Sequence, residues 1–192
     1  MINEIYERII REQEDQEEKV AYFMERTQEH IDRVKSAVYK IVTAYPEYEG
    51  LVEIAEEHDA SKFEAPEKEP YIELTWLKKI GEKAEGELAD QITQATLHHI
   101  KNNEHHPEYH LEDKSKANLS STNRDESIEV VDATRMPDTA LAEMVADWQA
   151  MAEELGTNTA REWFDDVKEV RWHFSEEQAE LIDKLLKVFE AE

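Results

Sequence analysis

Six histidines and two aspartates, His30, His58, His98, His99, His105, His106, Asp59 and Asp147, fall where a divalent cation could be held. Imidazole and carboxylate supply the lone pairs such an ion takes. His30 lies four residues before Val34 and eight before Val38, so it shares their helix face. His58 continues a short apolar stripe from Leu51 and Ile54 or Ala55. Asp147 stands three after Met144 and four before Met151. A carboxylate on a buried face costs several kcal/mol unless it is paired, and no arginine shares the Asp147 stripe. Successive helical side chains diverge by about 100°. A His-Asp pair at a helix end, as at His58-Asp59, escapes that limit because the chain leaves helical geometry there. These placements predict that His30, His58, Asp59 and Asp147 converge on one cation. Cysteine is absent, which removes thiolate ligands and leaves Zn, Mn, Fe, Ni or Co as suitable metals.

Five of the eight histidines lie between His98 and His110. Leu88, Ile92, Ala95, His99, Asn102 and His106 form one stripe with steps of four and three. His99 and His106 are thereby placed to hold a second metal, or to meet phosphate. His98 and His105 make a second face, seven apart, placed for a second metal or, instead, to contact phosphate or a proton in transfer.

The elements that must carry these groups read as helices. Four Gly and five Pro in 192 residues leave few breaks, and 3.6-residue stripes prevail over alternation. A charged helix spans 2–24, within an N-terminal segment 1–26. Thr27 either caps a new helix or lies within a continuing one that ends before Pro46. A short helix runs from Leu51 to His58, another from Tyr71 to Lys83, and a third from Leu88 to His106, stopped by Pro107. Residues 112–135 read as a mobile loop with almost no apolar anchors. Pro137 opens a helix closed at Gly156. Thr159 to His173 is amphipathic, and Ser175 with Gln178 forms a capping box for a last helix to Phe189. The expected fold is a single all-α helical domain.

The net charge of −25 repels phosphate polymers and anionic bilayers, so neither ordinary nucleic-acid binding nor a membrane role is expected. No apolar run approaches a spanning length and the first twenty residues lack a secretory pattern. Cytoplasm is the expected location, and an oligomer is compatible with the sequence.

The order His30, His58-Asp59, Asp147, each on a helix, resembles the HD-domain superfamily of metal-dependent phosphohydrolases. The strings HDASKF (58–63), HHIKNNEHHPEY (98–109) and EMVADW (143–148) are similar to a family of uncharacterised phage and bacterial proteins within or near that superfamily. The resemblance spans about His30 to Trp148. It implies an HD-type helical bundle with the metal on the first His, the His-Asp pair and the late Asp. Asp132 is a rival for the last ligand, and Asp147 is preferred for its helical setting.

Three functions follow. The first is a phosphohydrolase acting on a nucleotide or another small phosphate ester. Asp59 would orient or deprotonate water there, and Lys62 would neutralise phosphate oxygens. Asn102, Asn103 and Tyr109 would bind substrate, with Trp76, Tyr109 or Trp148 stacking a base. The second is an HD-type di-iron oxygenase using His30, His58, Asp59, His99, His106 and Asp147. The third is a non-enzymatic acidic interaction protein mimicking DNA, for which Glu12 to Glu18 is the one dense acidic run in the first helix.

Overall fold

The computed structural model describes residues 2–117 and 130–190, with side chains from residue 13 onward. Seven α-helices carry the architecture among these residues. α1 spans Ile2–Ala44 without interruption. No Gly or Pro breaks it, and Thr27 lies on its buried stripe with Phe23, His30, Val34, Val38 and Ile41. Thr27 therefore lies within a continuing helix, and residues 2–26 form its N-terminal part. α2 (Leu51–Glu56), α3 (Lys68–Ile80), α4 (Gly86–Asn102), α5 (Asp138–Leu155), α6 (Ala160–Val167) and α7 (Glu176–Glu190) follow.

α5 is the axis of the core. Nine of its residues are buried, from Ala140 to Ala150, and a helix apolar on nearly every side must be surrounded. It packs against α1, α2, α6 and α7. Small side chains at Ala140, Ala142, Ala146 and Ala150 let those neighbours approach, with Leu141, Val145, Ile182, Leu185 and Leu186 filling between them. α5 ends at Gly156, whose φ of 62° suits a residue without Cβ. Thr159 and Glu162 form a capping box at α6. The expected Ser175–Gln178 box is also made, the Gln178 backbone N–H donating to Ser175 Oγ at 3.2 Å. None of the described helices is long and apolar enough to cross a membrane.

Two expectations change. α4 stops at Asn102, not at His106, because Asn103 is extended. The Asn102 and Asn103 amides donate back to the His98 and His99 carbonyls at 2.7 and 2.8 Å, the local competition that ends helices. Pro107 acts later, keeping His106 extended. The segment read as an unanchored loop is anchored at its ends. Ala117, Val131, Ala133 and Met136 are buried, and residues 118–129 lie outside the described ones. β1 (Val131–Asp132) pairs in parallel with β2 (Trp172–His173), so the small sheet is a crossover pair and not a hairpin. Buried Gln178 donates to the Ala133 and Met136 carbonyls at 3.1 and 2.9 Å. That satisfies backbone groups which would otherwise be costly to bury.

The two faces of α1 can be separated by experiment. Ile41 is fully buried and Tyr39 is 71% exposed. Ile41→Ala should destabilise the protein by about 2–5 kcal/mol. Tyr39→Ala should stay within about 0.5 kcal/mol of the parent. Equal denaturation midpoints for the two variants would contradict the packing of α1.

Candidate metal centre

Four elements bring the site together around one carboxylate. α1 supplies His30, the turn after α2 supplies His58, α4 and the turn after it supply His99, His105 and His106, and α5 supplies Asp147. Asp59 sits at φ 59°, ψ 12°, in the left-handed region, which an aspartate tolerates better than most residues. This reversal lets His58 and Asp59, adjacent in the chain, both face inward.

The Asp59 carboxylate is buried and points its two oxygens at two groups of histidines. Oδ2 faces His30 Nε2 at 3.6 Å and His58 Nε2 at 3.8 Å. Oδ1 faces His99 Nε2 at 3.2 Å and His105 Nε2 at 3.9 Å. Asp147 Oδ1 lies 3.1 Å from His30 Nε2. Ligands held about 2.1 Å from a shared ion stand roughly 3.0–3.4 Å apart, close to these separations. Three overlapping triplets have ligand atoms within 4.8 Å of one another: His30, His58 and Asp147; His58, Asp59 and His105; His99, His105 and His106. These buried groups could hold a metal ion, or two with Asp59 between them.

Two further observations fit a cation. First, His58 Nε2 is buried without a hydrogen-bond partner among the described residues, an arrangement that is expensive unless something else occupies the lone pair. Second, the outer nitrogens of the histidines are turned to carboxylates. His58 Nδ1 donates to Glu143 Oε1 at 2.8 Å, and His105 Nδ1 faces the same oxygen at 3.4 Å. His99 Nδ1 donates to Glu67 Oε2 at 2.9 Å, and His30 Nδ1 faces Glu154 Oε2 at 3.7 Å. A carboxylate behind Nδ1 keeps the proton there and presents a bare Nε2, which is how metal-binding imidazoles are held.

The electrostatics agree. Burial works against the charged His30, yet the bond to Asp147 and the carboxylate of Glu154 outweigh it and hold the imidazole up at about 9. Burial would raise Asp59, but the charges of Lys62 and His58 and the bond from His99 keep it well below the usual carboxylate range. Burial likewise opposes ionised Glu143, while hydrogen bonds from His105 and His58 bring it down to about 2. The pocket thus keeps its carboxylates charged.

The residues expected from the sequence are placed as follows. His30, His58, Asp59 and Asp147 meet, and His99, His105 and His106 meet on the other side of Asp59. His98 does not join them; its half-buried ring donates to Glu67 Oε1 at 2.7 Å. His105 reaches the centre even though it is off the α4 stripe, since the chain has left the helix. The Lys62 ammonium pairs with Asp59 Oδ2. Asp132 is exposed on β1, engaged by Thr134, and is no ligand. Asn102, Asn103 and Tyr109 are absent from the cavity wall; Tyr109 donates to Glu104 on the surface at 3.2 Å. Trp76 packs edge-on against Tyr22, whereas Trp148 does line the cavity. Sequence reasoning missed Glu67, Glu143 and Glu154. For two of them a signal existed: Glu143, Asp147 and Glu154 stand four and seven apart on one face of α5. Glu67, in the turn before α3, had none.

The centre forms the floor of a cavity of about 520 Å³. Arg26, Lys62, Lys78 and Arg171 also line it, a concentration of positive charge in a chain of net −25.

Residues 19–188 match a family of unknown function, DUF5662, and the chain belongs to that family. The match takes in the whole segment from His30 to Trp148 and extends beyond it on both sides. No curated protein and no solved structure matches the chain.

Protein purified without chelator should carry a divalent cation, and His58→Ala or Asp147→Ala should abolish it with helix content intact. Glu143→Gln should weaken binding about 10–100-fold. Because a cation must displace the His30 proton, apparent affinity should rise with pH up to about 9 and level off above. Unchanged metal content in all three variants, by elemental analysis, would contradict the centre.

Proposed function

We propose that this chain is an HD-type, metal-dependent phosphohydrolase acting on a nucleotide or another small phosphate ester. The observation that carries the reading is the pairing of a His/Asp centre with a cation-lined cavity in a strongly acidic protein. A negative surface repels anions. A pocket that gathers Arg26, Lys62, Lys78 and Arg171 around buried metal ligands brings cationic side chains to where an anion would bind, Arg26 pairing with Glu154 and Lys62 with Asp59.

A bound divalent cation would supply Lewis acidity toward the phosphoryl group and an acidified water. The chain's own residues do the rest. Asp59, with one oxygen toward each histidine group, is placed to orient that water and to accept its proton. Lys62 is held against Asp59 and exposed to the cavity, where its ammonium can balance phosphate oxygens. Water adds to phosphorus, the ester P–O bond breaks, and the leaving oxygen takes a proton. Glu143, Glu67 and Glu154 keep the imidazoles oriented throughout.

A second reading has one specific support. His30, His58, Asp59, His99, His106 and Asp147, the set an HD-type di-iron oxygenase would use, all belong to the converging triplets. Two tightly bound irons with oxygen uptake, and no phosphate release, would favour it.

A panel of phosphate monoesters and nucleotides, assayed with Mn, Co, Zn, Ni and Fe, tests the hydrolase directly. At least one ester should be hydrolysed. Asp59→Asn should be inactive, and Lys62→Ala should lose about 10²-fold in kcat/KM. No phosphate release from any ester with any metal would overturn the proposal.

A further inference from the structure

The cavity continues past the metal centre to the junction of α5 and α6, where Thr157, Asn158 and Trp163 line it. Three tryptophans face the space, and they differ in one respect. Trp148 and Trp172 are buried and stack on each other, with centroids 5.9 Å apart and planes 11° apart. Trp163 is half-buried and packs on no other ring among the described residues. It packs against the edge of the hydrophobic core and also lines the cavity, so part of its ring faces the space a ligand would enter. Beside it, the Asn158 amide makes no hydrogen bond among the described residues. An amide offers a donor pair and an acceptor together, the pattern that reads the edge of a nucleobase. Thr159, by contrast, is spent on the α6 capping box.

We infer that the substrate is a mononucleotide whose phosphate lies on the metal centre and whose base stacks on Trp163 with its edge at Asn158. This rests on the hydrolase reading and adds the specificity element to it. The same cavity wall carries both the metal-ligating groups and, from the α5–α6 junction, Trp163 and Asn158, which would give a ligand an anion end and a ring end. A space of about 520 Å³ is of single-ligand size, and the net charge of −25 disfavours a polynucleotide. An aliphatic phosphate would use the anion end alone and leave Trp163 and Asn158 without a role.

The test measures binding to the metal-loaded full-length protein by calorimetry, with the common nucleoside monophosphates and ribose 5-phosphate as probes. At least one nucleotide should bind about 10-fold or more tightly than ribose 5-phosphate, since stacking on an aromatic side chain contributes at this scale. Trp163→Ala should remove that advantage and leave ribose 5-phosphate affinity within about twofold. Trp163→Phe should keep most of it, which separates stacking from a fold defect. Asn158→Ala should change the ranking among bases. Equal affinity for nucleotides and ribose 5-phosphate would overturn the inference and leave the hydrolase standing. Equal loss of both ligands in Trp163→Ala, with Trp163→Phe no better, would also overturn it. Failure of every phosphate probe to bind would overturn both.

Discussion

A carboxylate buried at the meeting point of four imidazoles is the constraint on which the rest depends. Asp59 has lost its water, and an ionised carboxylate in that position is tolerated only if cations and donors surround it. Lys62 supplies one charge directly. The histidines supply the remainder only if their Nε2 atoms share a cation with the aspartate or carry protons themselves. Both solutions need the outer nitrogens fixed, and Glu67, Glu143 and Glu154 fix them. The centre is thus a layered arrangement in which each carboxylate is justified by the histidine before it.

The long helices give that arrangement its rigidity. His30 sits near the middle of α1, and Glu143, Asp147 and Glu154 occupy one face of α5. The two helices pack along each other, so the His30–Asp147 distance is set by a core of Val34, Ile41, Leu141 and Val145 and not by a loop. His99 stands in the last turn of α4, and the other candidate ligands come from chain that has just left a helix: His58 and Asp59 after α2, His105 and His106 after α4. Helix supplies position and irregular chain supplies direction. The left-handed Asp59 is the sharpest instance, a sparsely populated backbone state retained at the chemical centre.

This division explains how much was legible beforehand. His30 and Asp147 could be found because helical periodicity assigns a face to each residue. The all-α bundle was legible for the same reason, in the apolar stripes of α1 and α5. Periodicity marks His105 only as one of two histidines on a second face, and its turn toward the centre was not legible there, since α4 ends at Asn102 before it. Nothing in local sequence foretold that Glu67 would lie behind His99, a contact across 32 positions of chain. Val131 and Ala133 were read as loop because two-residue strands are too short to show alternation, and their partner strand lies some forty residues on. Composition describes the charge of the chain as a whole, and only the folded chain gathers Arg26, Lys62, Lys78 and Arg171 about one cavity.

The most direct test of the account is to locate the ion. Anomalous diffraction from crystals of protein loaded with Mn or Zn should place a cation beside Asp59, within about 2.0–2.2 Å of an Asp59 oxygen and of at least two inward-facing histidine Nε2 atoms. A second peak on the His99, His105 and His106 side would mark Asp59 as a bridge. Loaded crystals whose only anomalous peaks lie on surface carboxylates, with Asp59 bound to protein groups alone, would contradict the metal centre.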